Sequence, residues 1–296
     1  MQRVVFLCSG NTCRSPIAAA ILRARRPDAQ VLSAGLAAVD GLPAAETARA
    51  VARERGLDLE GHRSQTAQAK LFSGGTLGLA MTRRLAEEAR RQFPEAANRI
   101  FSLGAYAGLP EQDVEDPIGQ GETVYRGVAN QVADLLHAAE VRRGWLFLSS
   151  VGLGSDHAGL ILKREVLAAL RQDAIPAVDY GTDSAESCDY PDFAQAVGQA
   201  IASGEIGAGV LVCGTGIGMS IAANKVPGVR AALAGEGLAA ELSRRHNDAN
   251  VLCLGARLTG PELAKEAALR FLRTPFEGGR HAGRVAKIAA LDQDNP

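Results

Sequence analysis

The chain has 296 residues, of which 47% are hydrophobic and 22% are charged, and its formal net charge is -1. This composition is ordinary for a soluble globular protein, and the small net charge gives no electrostatic reason to expect nucleic acid or an anionic membrane as a partner. The length suffices for two domains, because single hydrophobic cores stop growing at roughly 250 to 300 residues.

Targeting and redox signals are sparse in this sequence. The chain enters a strand-like run at its third residue, which leaves no room for a signal peptide, and no apolar run approaches the roughly 18 residues of a membrane span. Five scattered cysteines do not indicate a disulfide framework. We therefore expect a protein of the reducing cytoplasm.

Short apolar runs alternate with longer segments of helical period, which predicts parallel sheets covered by helices on both faces. In the first half the predicted strands are residues 3–7, 31–33, 76–81 and 99–102, and the last predicted helix is residues 122–139. In the second half the predicted strands are residues 146–153, 177–180, 210–213, 231–234 and 251–254, followed by a helix at 261–272. Arg142-Arg143-Gly144 separates the halves, so we expect two three-layer α/β/α domains, at residues 1–142 and 146–296.

The first candidate site is the loop that follows the first predicted strand and runs from Cys8 to Pro16. A cysteine at this strand-to-helix turn lies within a ring of backbone N–H groups that binds phosphate and favours the thiolate. Arg14 can hold two phosphate oxygens, and Ser15 can donate to the Cys8 sulfur. Asp116, followed by Pro117, is the predicted acid that protonates the leaving group.

These residues resemble the low-molecular-weight phosphotyrosine phosphatase family. The matching stretches are Cys8-x5-Arg14-Ser15-Pro16, Ser33-Ala34-Gly35, Ala80-Met81-Thr82 and Asp116-Pro117. The resemblance implies a flavodoxin-like domain, a phosphocysteine intermediate and a phosphorylated protein substrate. Its nucleophile, arginine and acid fall on Cys8, Arg14 and Asp116, and the rest of the loop would bind phosphate through Ser9, Gly10, Asn11, Thr12, Cys13 and Ser15.

Two departures from the tyrosine-specific members bear on the substrate. Thr12 stands where those members carry an aliphatic residue, and Ile118-Gly119 stands where they carry aromatic residues. Without aromatic walls a phenol ring stacks less well. Because Thr12 resembles the threonine of bacterial protein-arginine phosphatases, we hypothesise activity on phosphoarginine at least comparable to that on phosphotyrosine. Cys13 is expected to be structural or protective, and His62 and His137 are expected at the surface.

The second candidate site is the glycine-rich loop from Cys213 to Gly218, which also follows an apolar run. Its glycine spacing does not match the dinucleotide-binding motif. An aldose-ketose isomerase needs a base for a carbon-bound proton and donors for the resulting enediolate, and such a loop supplies both. Asp156-His157 could bind sugar hydroxyls, and His246 could open the sugar ring. Arg257, Arg280 and Arg284 could hold the phosphate.

This half resembles ribose-5-phosphate isomerase type B, of the family that also contains galactose-6-phosphate isomerase subunits. The matching stretches are residues 154–159, 189–191, 213–225, 246–252 and 277–281. The resemblance implies a Rossmann-like domain with Cys213 as the base and His246 as the ring-opening acid. It also implies a homodimer or a dimer of dimers, with part of each site across the dimer interface. The implied substrate-binding residues are Asp156, His157, Tyr190, Gly214, Thr215, Gly216, Gly218, Asn247, Arg257, Arg280 and Arg284.

The sequence therefore predicts a bifunctional enzyme, a cysteine-dependent protein phosphatase joined to a ribose 5-phosphate isomerase. No metal or organic cofactor is expected, because no cluster has ligand spacing and proton transfer needs no hydride carrier. The alternative is a hexose 6-phosphate isomerase with a non-catalytic phosphate-binding N-terminal module. Trp145 is expected to cover a core edge, and His281 to be a helix-start or interface residue.

Overall fold

The computed structural model describes residues 2–292, which separate into two compact units. The first unit comprises the chain up to Arg143 together with Phe147–Ser149. The second comprises Gly144–Leu146 and the described residues from Ser150 onward. Each unit has its own parallel sheet with helices around it, which confirms the predicted fold class.

The first unit is built on a four-stranded sheet in the order β2-β1-β3-β4. Its strands are β1 (Arg3–Cys8), β2 (Gln30–Gly35), β3 (Leu77–Ala80) and β4 (Ile100–Ser102). Its helices are α1 (Arg14–Arg25), α2 (Glu46–Glu54), α3 (Arg83–Gln92), α4 (Leu103–Ala107) and α5 (Glu122–Arg143). Both middle strands are apolar and almost wholly buried, as expected for a parallel sheet with helices on both faces.

The second unit has five parallel strands in the order β6-β5-β7-β9-β8. Its strands are β5 (Val151–Ser155), β6 (Ala177–Asp179), β7 (Ala208–Cys213), β8 (Ala231–Leu233) and β9 (Val251–Gly255). Its helices are α6 (Leu160–Gln172), α7 (Tyr190–Ala202), α8 (Ile217–Ala223), α9 (Gly237–Asn247), α10 (Pro261–Arg273) and α11 (Ala282–Leu291).

Two separate hydrophobic clusters form the core of the second unit, one on each face of its sheet. Val210 and Val212 belong to the cluster beneath α6 and α10, whereas Leu211 and Cys213 belong to the cluster beneath α7 and α8. Alternate residues of β7 therefore face opposite layers, which is why its sequence is one continuous apolar run.

The predicted strand at residues 146–153 is wrong in its first half. Gly144–Leu146 forms a 3-10 turn, and Leu148 has a φ of +65°, which an extended strand cannot contain. The strand begins only at Val151. Periodicity could not show this, because the apolar side chains of residues 146–148 are buried without belonging to a sheet.

Within the described residues, no helix combines the length and the apolar character needed to cross a membrane.

Candidate active sites

Cys8 is the last residue of β1, and its side chain is 3% exposed beneath the loop that follows. Its Sγ accepts a hydrogen bond from the Asn11 N–H at 3.2 Å and lies 2.9 Å from Ser15 Oγ. Both neighbours can donate to sulfur and so stabilise a thiolate, because a negative charge strengthens such hydrogen bonds. The structure therefore brings the predicted nucleophile and Ser15 together.

Asn11 has a left-handed backbone with a φ of +54°, a conformation that asparagine tolerates better than most residues. Its buried side chain donates to Ser15 Oγ at 2.9 Å and to Ser33 Oγ at 3.0 Å. Its Oδ1 accepts the Gln65 N–H at 2.9 Å. Asn11 is thus the centre of a hydrogen-bond network that fixes the loop around Cys8, and no local motif predicts this role because two of its partners, Ser33 and Gln65, are distant in the chain.

Arg14 and Asp116 form an ion pair at the mouth of this loop. The Arg14 side chain is 6% exposed and that of Asp116 is 44% exposed, so the carboxylate faces solvent while the guanidinium is buried. They line a cleft of about 370 Å³ together with Ser9, Thr82, Arg84, Leu85, Glu88 and Asp113. None of these described lining residues is aromatic, and three of them are carboxylates.

Two further side chains support the first loop. Cys13 Sγ lies 3.2 Å from the hydroxyl of Tyr125 on α5, and burial raises the pKa of that tyrosine. Thr12 Oγ1 lies 3.6 Å from Cys13 Sγ and does not line the cleft. Tyr125 carried no signal in the sequence, because only the docking of α5 brings it to the loop.

The expectation that His62 is a surface residue is wrong. His62 is half-buried, and its Nε2 lies 2.7 Å from the carbonyl oxygen of Asn11, so the ring donates a hydrogen bond to the loop that follows Cys8. Burial lowers the pKa of His62, with Arg23 and Arg63 acting in the same direction. His137 is exposed, as expected.

Cys213 has the same local geometry in the second unit. It is the last residue of β7, it is 4% exposed, and its Sγ accepts the Gly216 N–H at 3.2 Å. Gly216 has a φ of +76° and directly precedes α8, and its N–H points back at sulfur, as that of Asn11 does in the first unit. The loop amides and the thiol therefore converge at one strand end.

The strand next to each cysteine ends in a glycine directly opposite it. Gly35 pairs with Cys8 and Gly255 pairs with Cys213. A Cβ on Gly35 would lie 2.4 Å from Ser9 O, and one on Gly255 would lie 2.5 Å from Thr215 O. Each loop closes over its cysteine only because the neighbouring strand has no side chain there.

The predicted sugar-binding residues around Cys213 come from neighbouring strand ends. Asp156 follows β5, is buried, and accepts the Gly159 N–H at 2.9 Å. His157 Nδ1 accepts the Cys188 N–H at 3.2 Å, which leaves the proton of the neutral ring on Nε2. The hydroxyl of Tyr190 lies 2.8 Å from the position of a Cβ on Gly218, so its ring crosses the start of α8.

Arg257 belongs to this same edge of the sheet. Its N–H donates to Gly214 O at 3.0 Å, and its Cζ lies 3.4 Å from the position of a Cβ on Gly214. A guanidinium beside the glycine-rich loop is suited to a phosphate or a developing oxyanion.

The structure does not bring His246 and Asn247 to Cys213 within one chain. They end α9, which leads into the amino end of β9, where the Gly209 N–H donates to Asn250 O at 2.8 Å. Cys213 lies at the opposite end of β7, whose six residues from Ala208 to Cys213 span roughly 17 Å. Asn247 instead lines a groove of about 430 Å³ with Ser243, Ile288 and Leu291.

A second cluster surrounds His246 at that edge. Its ring stacks on His281 with centroids 4.3 Å apart and planes 7° apart, and its Nε2 lies 3.9 Å from a carboxylate oxygen of Glu277. Arg280 Nε lies 3.3 Å from His281 Nε2. Burial lowers the pKa of His281, and the nearby His246, Arg280 and Arg284 lower it further. The expected phosphate clamp is therefore divided, with Arg257 at one edge and Arg280 and Arg284 at the other.

The expectation that no cluster has metal-ligand spacing is wrong for this trio. Atoms of His246, Glu277 and His281 that could bind a metal lie within 4.8 Å of one another, because the fold joins His246 to residues 31 and 35 positions later in the sequence. However, Arg245 forms an ion pair with Glu277 at 3.2 Å, and Arg280 contacts His281. Guanidinium groups around the trio favour an anion over a dication.

Two families of known proteins match the two units. The ribose/galactose isomerase family model matches residues 151–288, and the low molecular weight phosphotyrosine protein phosphatase family model matches residues 3–143. The chain therefore belongs to the ribose/galactose isomerase family through its second half and carries a low-molecular-weight phosphatase domain in its first half.

Individual relatives match the second half. Ribose-5-phosphate isomerase B of Escherichia coli strain K12 is 47% identical over 146 residues, which are 49% of this chain and 98% of that protein. The putative sugar phosphate isomerase YwlF of Bacillus subtilis strain 168 is 45% identical, again over 49% and 98% of the two chains. A structure of Clostridium thermocellum ribose-5-phosphate isomerase B is 48% identical, covers 50% of this chain and 99% of that one, and gives a TM-score of 0.49.

Proposed function

We propose that the second unit interconverts ribose 5-phosphate and ribulose 5-phosphate through an enediolate. The observation that carries the proposal is the Gly216 N–H donating to Cys213 Sγ at the end of β7, on the same edge of the sheet as Asp156 after β5 and Arg257 after β9. The name of the E. coli relative supports the choice of substrate.

The proposed reaction transfers one proton between adjacent carbons. The Cys213 thiolate removes the proton from C2 of the open-chain aldose, the released electron pair forms the C1–C2 double bond, and O1 becomes an oxyanion held by loop N–H groups. The Cys213 thiol then returns the proton to C1, and the proton of the C2 hydroxyl passes to O1, so that C2 becomes the ketone, O1 becomes a hydroxyl and the thiolate is regenerated. Electrons and atoms balance without a redox cofactor.

The ring-opening step requires a second copy of the chain in this proposal. His246 and Asn247 lie at the edge of the sheet opposite Cys213, so one chain does not assemble the complete set. Ile217 and Ile221, one turn apart on α8 beside the Cys213 loop, are 49% and 58% exposed. Such an apolar face next to an incomplete site is suited to a homodimer in which each subunit supplies His246 to its partner.

Subunit mixing tests this arrangement. Cys213→Ala and His246→Ala proteins should each lack isomerase activity, yet an equal mixture after subunit exchange should recover about a quarter of the wild-type activity, since half the dimers would contain one intact site of two. No recovery, despite exchange shown by differently tagged subunits, would contradict the shared site.

The first unit is proposed to hydrolyse phosphorylated side chains through a phosphocysteine. Cys8 Sγ bonds to phosphorus as the bond to the leaving group breaks, and Asp116 donates the proton that the leaving group needs. Asp116 then takes a proton from the water that attacks phosphorus, which releases inorganic phosphate and the Cys8 thiolate. Ser15 Oγ, 2.9 Å from the sulfur, stabilises that thiolate.

The substrate proposed for this unit is phosphoarginine, with activity at least comparable to that on phosphotyrosine. The cleft is lined by three carboxylates and two guanidinium groups, those of Glu88, Asp113, Asp116, Arg14 and Arg84. No lining residue among those described is aromatic, so a phenol ring has no aromatic face to stack on. Phosphoarginine and phosphotyrosine peptides of one sequence should be compared with wild-type and Thr12→Ile proteins. Equal or better turnover of phosphotyrosine that Thr12→Ile leaves unchanged would exclude this preference.

One pair of variants tests whether the sites act independently. Cys213→Ala should abolish conversion of ribose 5-phosphate, whereas Cys8→Ser should leave it intact and remove phosphatase turnover. Loss of isomerase activity in both would break the two-site proposal. A higher kcat/KM for allose 6-phosphate or galactose 6-phosphate than for ribose 5-phosphate, with no trapped phosphocysteine, would instead favour a hexose phosphate isomerase with a non-catalytic phosphate-binding module.

A further inference from the structure

Trp145 is the only tryptophan of the protein, and it lies in the turn Gly144–Leu146, before the stretch that matches the isomerase family model. Its ring covers the guanidinium of Arg244, with Cζ 3.6 Å from the ring centroid. Its indole N–H donates to Leu272 O at 3.1 Å, and its ring lies edge-on to that of Phe271, with centroids 6.5 Å apart and planes at 84°. The expectation that Trp145 covers a core edge is therefore incomplete, because the ring also holds a cation.

Arg244 is 2% exposed, although arginine is almost never fully buried without partners. Its Nε donates to Thr274 O at 3.2 Å, and its Nη1 lies 2.9 Å from Asp248 Oδ1 and also donates to Ala249 O. Burial lowers the pKa of Arg244, while Asp248 opposes that shift. The contacts with Asp248 and Ala249 lie in the turn that follows α9, the contact with Thr274 lies at the end of α10, and Trp145 covers the face of the guanidinium.

The contacts of Arg244 bracket the proposed ring-opening residue. His246 and Asn247 lie between Arg244 and Asp248 in the last turn of α9. Asp248 ends that helix in the left-handed conformation, with a φ of +48°, and also pairs with Arg230 at 2.7 Å. The path of the backbone through His246 is therefore fixed on both sides by a guanidinium that Trp145 keeps out of water.

We propose that Trp145 is a positioning residue for the isomerase reaction: it clamps Arg244, and Arg244 holds the turn that aims His246 and Asn247. The inference rests on the role proposed above for His246. Without the indole, water reaches the guanidinium and competes for its backbone contacts, so the turn gains freedom. A cation–π contact of this kind is strongest when the cation is desolvated.

The test uses full-length protein at a temperature at which every variant remains folded by circular dichroism. Trp145→Ala should lower kcat/KM for ribose 5-phosphate by about 10-fold to 100-fold, because a small misplacement of a catalytic group can cost this much. Trp145→Phe, which keeps an aromatic face, should recover most of the activity. Trp145→Leu, which keeps apolar cover without that face, should stay close to Trp145→Ala.

Leu167→Ala is the matched control, because Leu167 is partly buried against the same hydrophobic cluster but lies on α6. It should change kcat/KM less than about twofold. The pH dependence of kcat separates positioning from loss of folded protein. Trp145→Ala should change the shape of the profile of kcat against pH where the ring-opening group titrates, whereas partial unfolding would lower kcat by the same factor at every pH.

Three outcomes have distinct meanings. Inactive wild-type protein on ribose 5-phosphate would refute the proposed function itself. Active wild type with Trp145→Ala or Trp145→Leu at wild-type kcat/KM and pH profile would overturn the positioning role. If Trp145→Ala does not fold, the comparison of the Phe and Leu variants decides, and equal activity of those two would reduce Trp145 to core filling.

Discussion

Gly255 lies directly opposite Cys213 where β9 pairs with β7, and no side chain separates the glycine from the carbonyl oxygen of the loop above it. Gly35 and Cys8 repeat this relationship in the first unit. Different chemistry is proposed for the two units, yet in each the thiol lies under a loop that requires a glycine at the end of the neighbouring strand. The shared requirement is steric, because the loop that folds over the sulfur passes too close to the neighbouring strand for that strand to carry a side chain.

Gly255→Ala should therefore impair the isomerase. Its Cβ would lie 2.5 Å from Thr215 O, so the loop would shift, at a cost of about 1 to 3 kcal/mol in unfolding free energy. We expect kcat/KM for ribose 5-phosphate to fall by about 10-fold or more. Gly260→Ala is the control, since a Cβ there meets nothing within 4 Å and should leave activity close to wild type. Equal effects of the two changes would contradict the steric argument.

Gly35→Ala should impair only the phosphatase. The added Cβ would lie 2.4 Å from Ser9 O and 3.0 Å from Asn11 N, which displaces the donors around Cys8. Turnover of an aryl phosphate should fall by about 10-fold or more, with isomerase activity unchanged. Gly127→Ala, on the exposed side of α5 with open space around it, should have no such effect and serves as the comparison.

Asp116→Asn should slow the phosphatase in a way that depends on the leaving group. A general acid contributes about 10²-fold to 10⁴-fold when the leaving group must be protonated. We expect a large loss of kcat with phenyl phosphate and a smaller loss with p-nitrophenyl phosphate, whose phenolate leaves more readily. Glu115→Gln, which changes the neighbouring exposed carboxylate, should preserve both rates. Equal losses on the two substrates would argue against an acid at position 116.

The buried state of His62 predicts a pH-dependent stability of the phosphatase unit. Burial lowers the pKa of His62 below its usual value of about 6.5, so the unfolded chain binds a proton at a higher pH than the folded chain. The stability contributed by neutral His62 is complete above about pH 6.5 and is lost as the pH falls toward the lower folded pKa.

Thermal inactivation of phosphatase activity measures this effect. The midpoint temperature should fall as the pH is lowered from about 7.5 to about 5.5, and His62→Gln should show a weaker dependence over that range. His137→Gln, at an exposed position on α5, should follow the wild type. A His62→Gln profile parallel to the wild type would show that His62 does not carry the effect.

The sequence by itself determined the two families, the parallel sheets and the two cysteine loops, because residues of one strand-to-helix turn are neighbours in the chain as well as in space. Cys8, Ser15 and Arg14 illustrate this, since the loop that joins them also brings them together. The same locality explains the misplaced start of β5, because residues 146–148 are apolar like a strand but include the left-handed Leu148.

Only the tertiary structure decided which distant groups meet. It placed Tyr125 against Cys13, His62 on the Asn11 carbonyl, and Trp145 on Arg244, across separations of 112, 51 and 99 residues in the chain. It also put His246 at the sheet edge away from Cys213, because a helix between two parallel strands returns the chain to the amino edge. Long-range side-chain contacts of this kind depend on how helices and loops pack, and no local pattern in the sequence predicts that packing.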